Sequence, residues 1–231
     1  MSDEQLGDGL VTAAQRGDAR VIDISIPFAP HIPSWPGDIP FSCGWTALRE
    51  DGSSVNLAAL TLSAHSGTHA DAPLHVESAW SASETLPVAV FVGDAYVVDV
   101  AGVTGIDIDT LERALDGVHD CTRLLVRTGA SVAGGVFPEL WPVLDETAAH
   151  WLVAHGVQLF GTDAPSVDAR TSTTLPVHHA LFSGGAYVLE NLALDAVAPG
   201  KYELLAQPLA LHGADAAPVR ALLRLPVTVA E

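Results

Sequence analysis

Three histidines and an aspartate crowd one short stretch: His65-Ser66-Gly67-Thr68-His69-Ala70-Asp71-Ala72-Pro73-Leu74-His75. Neutral imidazole with carboxylate is the donor set that zinc prefers, and manganese accepts it with fewer imidazoles. The chain has only 10 histidines in 231 residues, so this density points to a divalent cation rather than to separate polar turn residues. The four-residue step from His65 to His69 matches a helical zinc pair, but Gly67 and Pro73 oppose a helix. A strand with a tight turn is the better geometry. On a strand, His69 and Asp71 face the same side because side chains alternate, and a turn at Gly67 brings His65 round to meet them.

A second region offers completing ligands: Leu175-Pro176-Val177-His178-His179-Ala180, then Val188-Leu189-Glu190-Asn191. Glu190 follows the apolar run Ala186–Leu189, where a carboxylate needs a partner. A cation would serve, and so would a buried salt bridge or a solvent-facing strand end. Spacing does not choose between His178 and His179. The remaining histidines, His31, His119, His150, His155 and His212, do not cluster with acids and read as structural. Nucleophilic catalysis finds no footing: there is no Gly-x-Ser-x-Gly elbow, and neither cysteine has a histidine signature beside it. Gly134-Gly135 and Gly184-Gly185 lack the companions of a phosphate loop.

The elements that must hold these residues are mostly strands. Val21–Ile26 alternates strictly, and Val55–Ala64 runs directly into the histidine cluster. Further strands are expected at Ala95–Val100, Arg123–Arg127, Val157–Thr162, Ala186–Leu189, Tyr202–Leu211 and Val219–Leu225. Asp109 with Glu112 resembles a capping box opening a helix over Thr110–Leu115. Asp145 caps a second, Glu146–His155, closed by Gly156. Interleaved strands and helices make this an α/β chain, with a loose acidic lead-in at residues 1–19 and one domain over residues 20–231.

Composition agrees. Hydrophobic residues are 48% and charged ones 16%, enough apolar surface for a packed core and a further apolar face at a subunit interface. The net charge of −18 repels phosphate backbones and excludes nucleic acid as a partner. Cys43 and Cys121 have neither CxxC spacing nor the number for a disulfide framework. The start, Met1-Ser2-Asp3-Glu4-Gln5, is acidic where a secretory signal would be basic, and no apolar run reaches the roughly 20 residues of a membrane span. No membrane association and a cytoplasmic location are expected.

The pattern His-x-Gly-Thr-His-x-Asp-x-Pro-x-His over His65–His75 resembles the signature of the metal-dependent cyclase hydrolases. Ile22-Asp23-Ile24-Ser25, Ser34-Trp35-Pro36-Gly37-Asp38, Gly161–Asp168, Leu175–Glu190 and Pro199–Leu204 fit the same family, so the resemblance covers about residues 20–228. It implies a swivelling β/β/α fold with a mixed, barrel-like sheet core and few helices, assembled as a homodimer. It implies two zinc ions per subunit, with manganese as the alternative. His65, His69 and Asp71 would hold the first ion; Asp71 would bridge to the second, held also by His178 and Glu190. His178 is preferred because the family's ligand leads the histidine pair. His75 would be the acid/base, and Trp35 would pack on the substrate ring. Within the family the likeness runs to the formamidase branch, which implies hydrolysis of N-formyl-L-kynurenine to L-kynurenine and formate by a zinc-activated hydroxide. Rival readings are an isatin hydrolase, a cyclic amide or ester hydrolase, or a non-catalytic metal-binding protein; the extra base His75 counts against the last. The N-terminal extension and the uncharged Phe182-Ser183-Gly184-Gly185 depart from the family pattern.

Overall fold

The computed structural model describes residues 21–225. The expected lead-in over residues 1–19 lies outside them, as do residue 20 and residues 226–231 at the ends of the expected domain. In chain order the described elements are β1 (Val21–Asp23), β2 (Ser42–Ala47), β3 (Leu57–Thr61), β4 (His69–Asp71), β5 (Val92–Asp99), β6 (Gly105–Ile106), α1 (Ile108–Ala114), β7 (Arg123–Arg127), β8 (Val143–Leu144), α2 (Glu146–Ala154), β9 (Leu159–Thr162), α3 (Pro176–Ser183), β10 (Tyr187–Glu190), β11 (Gly200–Leu205), β12 (Ala216–Pro218) and β13 (Leu222–Arg224).

One curled sheet of nine strands carries the fold, in the order β1-β13-β11-β5-β7-β9-β10-β4-β12. Its centre, β5, β7, β9 and β10, is parallel, and both flanks are antiparallel. Central parallel strands are covered on both faces and read as continuous apolar runs, as Leu124-Leu125-Val126 does. Alternation then sends neighbours to opposite cores. Leu124 and Val126 pack with Leu111, Leu152 and Leu181 of the three helices, whereas Leu125 joins Ile24, Leu204 and Leu223. The flanks wrap around this second core. The chain leaving β1 reaches the segment after β10, where the Ala193 amide donates to the Ile24 carbonyl at 2.8 Å and Ser25 bridges Leu192. The mixed, barrel-like α/β architecture is therefore as the resemblance implied.

Some elements differ from expectation. The N-cap of α1 is Asp107, not Asp109: its Oδ1 accepts from the Thr110 amide at 2.8 Å, while Asp109 sits in the first turn, where a negative charge favours the helix dipole. The regular pairing of β1 stops at Asp23, whose side chain turns back to accept from the Ser25 amide. The strand expected over Tyr202–Leu211 ends at Leu205. The helix α3 is an element beyond the two helices the capping signals predict, and it carries His178.

Candidate active site

The site is built on β4, which lies between β10 and β12. Register places Glu190 of β10 directly across from His69, and directly opposed residues share a face. Alternation puts Asp71 on that face too. All three are buried. The His69 Nε2 atom lies 3.3 Å from Asp71 Oδ1 and 3.5 Å from Glu190 Oε2.

The turn before β4 aims His65 at the same point. Gly67 holds φ +58°, and a Cβ there would sit 3.2 Å from a Phe28 ring carbon and 3.3 Å from the Ile26 carbonyl oxygen. Such left-handed geometry suits glycine. The Gly67 carbonyl accepts from His69 Nδ1 at 2.8 Å, leaving His69 Nε2 to face inward. Thr68 stitches the turn in place: its hydroxyl accepts from the Ile26 amide at 2.8 Å and donates to the Asn191 carbonyl at 2.5 Å. His65 Nδ1 comes to 3.0 Å from Asp71 Oδ1.

His178 arrives from α3. Pro176 occupies the first turn, and Leu175 before it holds the left-handed φ of +45°. Leu175 makes no side-chain cap; Asp168 takes that part instead. Its carboxylate accepts from the Val177 and His178 amides, each at 3.1 Å, and from His178 Nδ1 at 2.6 Å. His178 Nε2 then faces Asp71 Oδ2 at 3.1 Å and Glu190 Oε1 at 3.4 Å. His179 points elsewhere, its ring 5.5 Å from that of Trp80. Spacing left that pair open, and the helix places His178 in the cluster.

His75 follows in a short helical turn after Pro73. Its ring lies 4.3 Å from that of His65, and one of its nitrogens is within 4.8 Å of donor atoms of Asp71 and His178. Trp35 stands across the cavity, edge-on to Phe137 and Trp141 with centroids 5.4 and 6.0 Å away. The cavity between this aromatic wall and the histidines holds about 290 Å³, at the small end for small-molecule sites. The structure thus brings His65, His69, Asp71, His75, His178 and Glu190 together, with Trp35 facing them.

The electrostatics call for a cation. Burial opposes charge on His65, but Asp71 and then Asp215 outweigh it and raise the imidazole to about 10. His69 is buried too, yet Asp71 and Glu190 lift it to about 9. Burial would push the Asp71 carboxyl up, but His65 and His69 hold it well below the usual range. Burial and Asp71 both act to raise Glu190, and bonds from His178 and His69 hold it down. These carboxylates demand positive charge at their centre. Two buried atoms there, His69 Nε2 and Asp71 Oδ1, have no hydrogen-bond partner. A lone pair facing a carboxylate oxygen at such distances is repulsive unless a proton or metal ion lies between them. The donor set fits a divalent metal, and donor atoms of His65, His69 and Asp71 lie within 4.8 Å of one another.

Asp168 and Asp215 also belong to the site, and the sequence motifs do not point to either. Asp168 stood within a family-like segment but had no local sign of its partner ten residues on. Asp215 bonds both His65 and His75, and nothing near it in sequence marks it. His155, stacked on Trp151 at 4.0 Å, and His212, paired with Glu84 at 2.8 Å, lie outside the cluster.

The model of the Cyclase family matches residues 22–169, the His65–His75 segment included. A kynurenine formamidase of Geobacillus thermodenitrificans (strain NG80-2) is 45% identical over 203 residues, covering 88% of this chain and 96% of its own. A solved structure described as a potential metal-dependent hydrolase with cyclase activity is 30% identical with a TM-score of 0.76, covering 90% of this chain and 99% of its own. Isatin hydrolase A from Ralstonia solanacearum shares the fold, with a TM-score of 0.76 at 23% identity over 90% of this chain and 92% of its own.

Proposed function

The chain belongs to the Cyclase family and is a hydrolase, and from that premise we propose that it hydrolyses N-formyl-L-kynurenine to L-kynurenine and formate, in tryptophan degradation. The observation that carries this reading is the division of one buried carboxylate between two sets of donors. Asp71 Oδ1 faces His65 and His69, and Oδ2 faces His178. His65, His69 and Asp71 would hold one zinc ion; Asp71, His178 and Glu190 would hold a second, with manganese as the alternative metal. His75 borders the second position as closely as a ligand would. Its Nδ1 is committed to Asp215, however, and Glu190 already completes the donor set, so His75 is assigned to proton transfer.

Bound there, two divalent cations supply Lewis acidity and bring the pKa of a water toward about 7. The chain's own residues do the rest. Trp35, with Phe137 and Trp141 behind it, presents an aromatic wall suited to the aminophenyl ring of the substrate. His75 accepts the proton of the attacking water at Nε2 and returns it to the aniline nitrogen as the C–N bond breaks. General acid/base help of this kind is worth roughly 10²–10⁴-fold.

A homodimer fits the same reading. The β2–β3 hairpin pairs with no other strand among the described residues, and it exposes Trp45, Leu57 and Leu60 by more than half. A second copy of the chain would cover that apolar face. No helix among the described residues is long and apolar enough to cross a membrane.

The test is formate release from N-formyl-kynurenine before chelation, after it, and after zinc is restored, with isatin run in parallel. Activity that disappears on chelation and returns with zinc is expected. Turnover indifferent to chelation would remove the metal, and faster hydrolysis of isatin would remove the substrate while leaving the family intact.

A further inference from the structure

Asp215 lies in the loop just before β12, far in sequence from both histidines it meets, yet its Oδ2 accepts two histidine bonds at once. His65 Nε2 is 3.0 Å away and His75 Nδ1 is 3.3 Å away. We infer that Asp215 is a positioning residue for the reaction, one carboxylate that fixes the tautomer and ring orientation of both the proton-transferring His75 and the metal-facing His65. The inference rests on the roles proposed above for those two histidines.

An ionised carboxylate only accepts hydrogen bonds. The two nitrogens facing Asp215 must therefore carry hydrogens, and in the neutral ring that metal binding requires the opposite nitrogens are bare. For His65 that is Nδ1, the atom 3.0 Å from Asp71 Oδ1. For His75 it is Nε2, the nitrogen left to take the substrate-side proton. Both are the tautomers the chemistry needs, and one oxygen selects them. The other two imidazoles of the site are fixed similarly but separately: His69 through the Gly67 carbonyl and His178 through Asp168. Among the described residues, only Asp215 accepts hydrogen bonds from both a metal-facing ring and the proton-transfer ring. A proton gained by His75 thus places its charge beside a carboxylate already hydrogen-bonded to the first ion's ligand.

The backbone holds Asp215 ready. The Ala72 amide donates to the Asp215 carbonyl at 2.9 Å, and the Ser83 amide donates to the Ala214 carbonyl at 2.9 Å. Register continues this anchoring, because Ala216 pairs with Asp71 itself. The carboxylate is thus tied to the strand that lies between the two histidines it orients. Its side chain is 47% exposed, so replacement leaves no buried hole.

The experiment uses the zinc-loaded full chain with ¹⁵N-labelled histidine, read by long-range ¹⁵N–¹H correlation above neutral pH. His65 is expected as the Nε2–H tautomer and His75 as the Nδ1–H tautomer. A wild-type His75 carrying its hydrogen on Nε2 overturns the inference, whatever substrate the enzyme takes. Asp215→Asn is then expected to weaken zinc in chelator competition and to lower kcat at saturating zinc, each by about 10–100-fold, with KM changed less than about twofold. Asp215→Glu should recover part of the loss. Added to His75→Ala at saturating zinc, Asp215→Asn should cost much less kcat than it does alone, since the proton-transfer ring it orients is already gone and only the His65 contact remains to lose. An equal loss on both backgrounds would mean a merely structural role and would overturn the inference. Were Asp215→Asn not to fold, the wild-type tautomers alone decide. Were N-formyl-kynurenine not hydrolysed, the tautomers and zinc affinity still stand as the test, and only the substrate reading falls.

Discussion

The two halves of the site are built by different means. The first half, His65 to His75, is local: one turn, one three-residue strand and a short helical turn deliver three imidazoles and a carboxylate, aimed by backbone conformation. The second half is assembled from afar. Asp168, His178, Glu190 and Asp215 belong to separate segments, and sheet register together with one helix start brings them to β4. The local half is encoded in a motif and depends on a few backbone angles. The remote half has no motif and depends on the whole sheet keeping its register.

Asp71 is the residue both halves share, so its loss should erase the distinction. Asp71→Ala is expected to release both ions, measured by elemental analysis. Its activity should fall by more than the roughly 10²–10⁴-fold that acid/base assistance supplies. Full zinc occupancy in that variant would show that the halves do not meet at Asp71. His75→Ala should separate chemistry from binding, losing about 10²–10⁴-fold in kcat while keeping its metal. Asp168→Ala should strike the remote half alone. His178 loses its orienting partner, which weakens the second ion by about 10–100-fold. The start of α3 also loses its two amide bonds, a cost of about 1 kcal/mol read by thermal or denaturant unfolding. Equal weakening of both ions in Asp168→Ala would break the comparison.

What was legible in the sequence follows the same division. His69 and Asp71 could be placed on one face from alternation alone, and Arg123–Arg127 was read at its boundaries because an apolar run ends at arginine on both sides. Those signals are local. The choice of His178 over His179 came from family resemblance, since spacing is silent about which way a helix turns. The helix itself went unread: Pro176 at its first turn is a start signal, but its usual cap position holds Leu175, and the carboxylate serving as cap lies seven residues earlier. Asp215 meets His75 only because β12 pairs with β4. No residue near it reveals that pairing, which is decided by the burial of one sheet face.

Protons offer a gentler probe of the local half. A ligating imidazole must be neutral, yet without a cation His65 and His69 hold their protons up to about 10 and about 9. Zinc binding near pH 7 should therefore release protons, seen by calorimetry in buffers of different ionisation enthalpy, and affinity should rise with pH up to that range. Stability of the chelated protein should run the other way. Both folded values lie above the unfolded value near 6.5, so their contribution is full below pH 6.5 and is lost as pH rises through 9 to 10. A chelated protein whose melting temperature is flat from pH 7 to 10 would contradict this charge balance.

The smallest effect tests whether backbone angle truly aims the local half. Gly67→Ala keeps every donor atom but asks a residue with a Cβ to hold φ +58° with that carbon 3.3 Å from the Ile26 carbonyl oxygen. The left-handed conformation costs about 1–2 kcal/mol for an alanine, and a backbone oxygen cannot swing aside as a side chain would. The turn must either bear that cost or rotate, and rotation carries the Gly67 carbonyl away from His69 Nδ1. Unfolding should show a loss of about 1–2 kcal/mol, and competition with a chelator should show the first ion held more weakly while the second is unchanged. A Gly67→Ala protein with wild-type stability and both ions intact would mean that the turn is only a connector, and that His65 and His69 are aimed by their carboxylate partners instead.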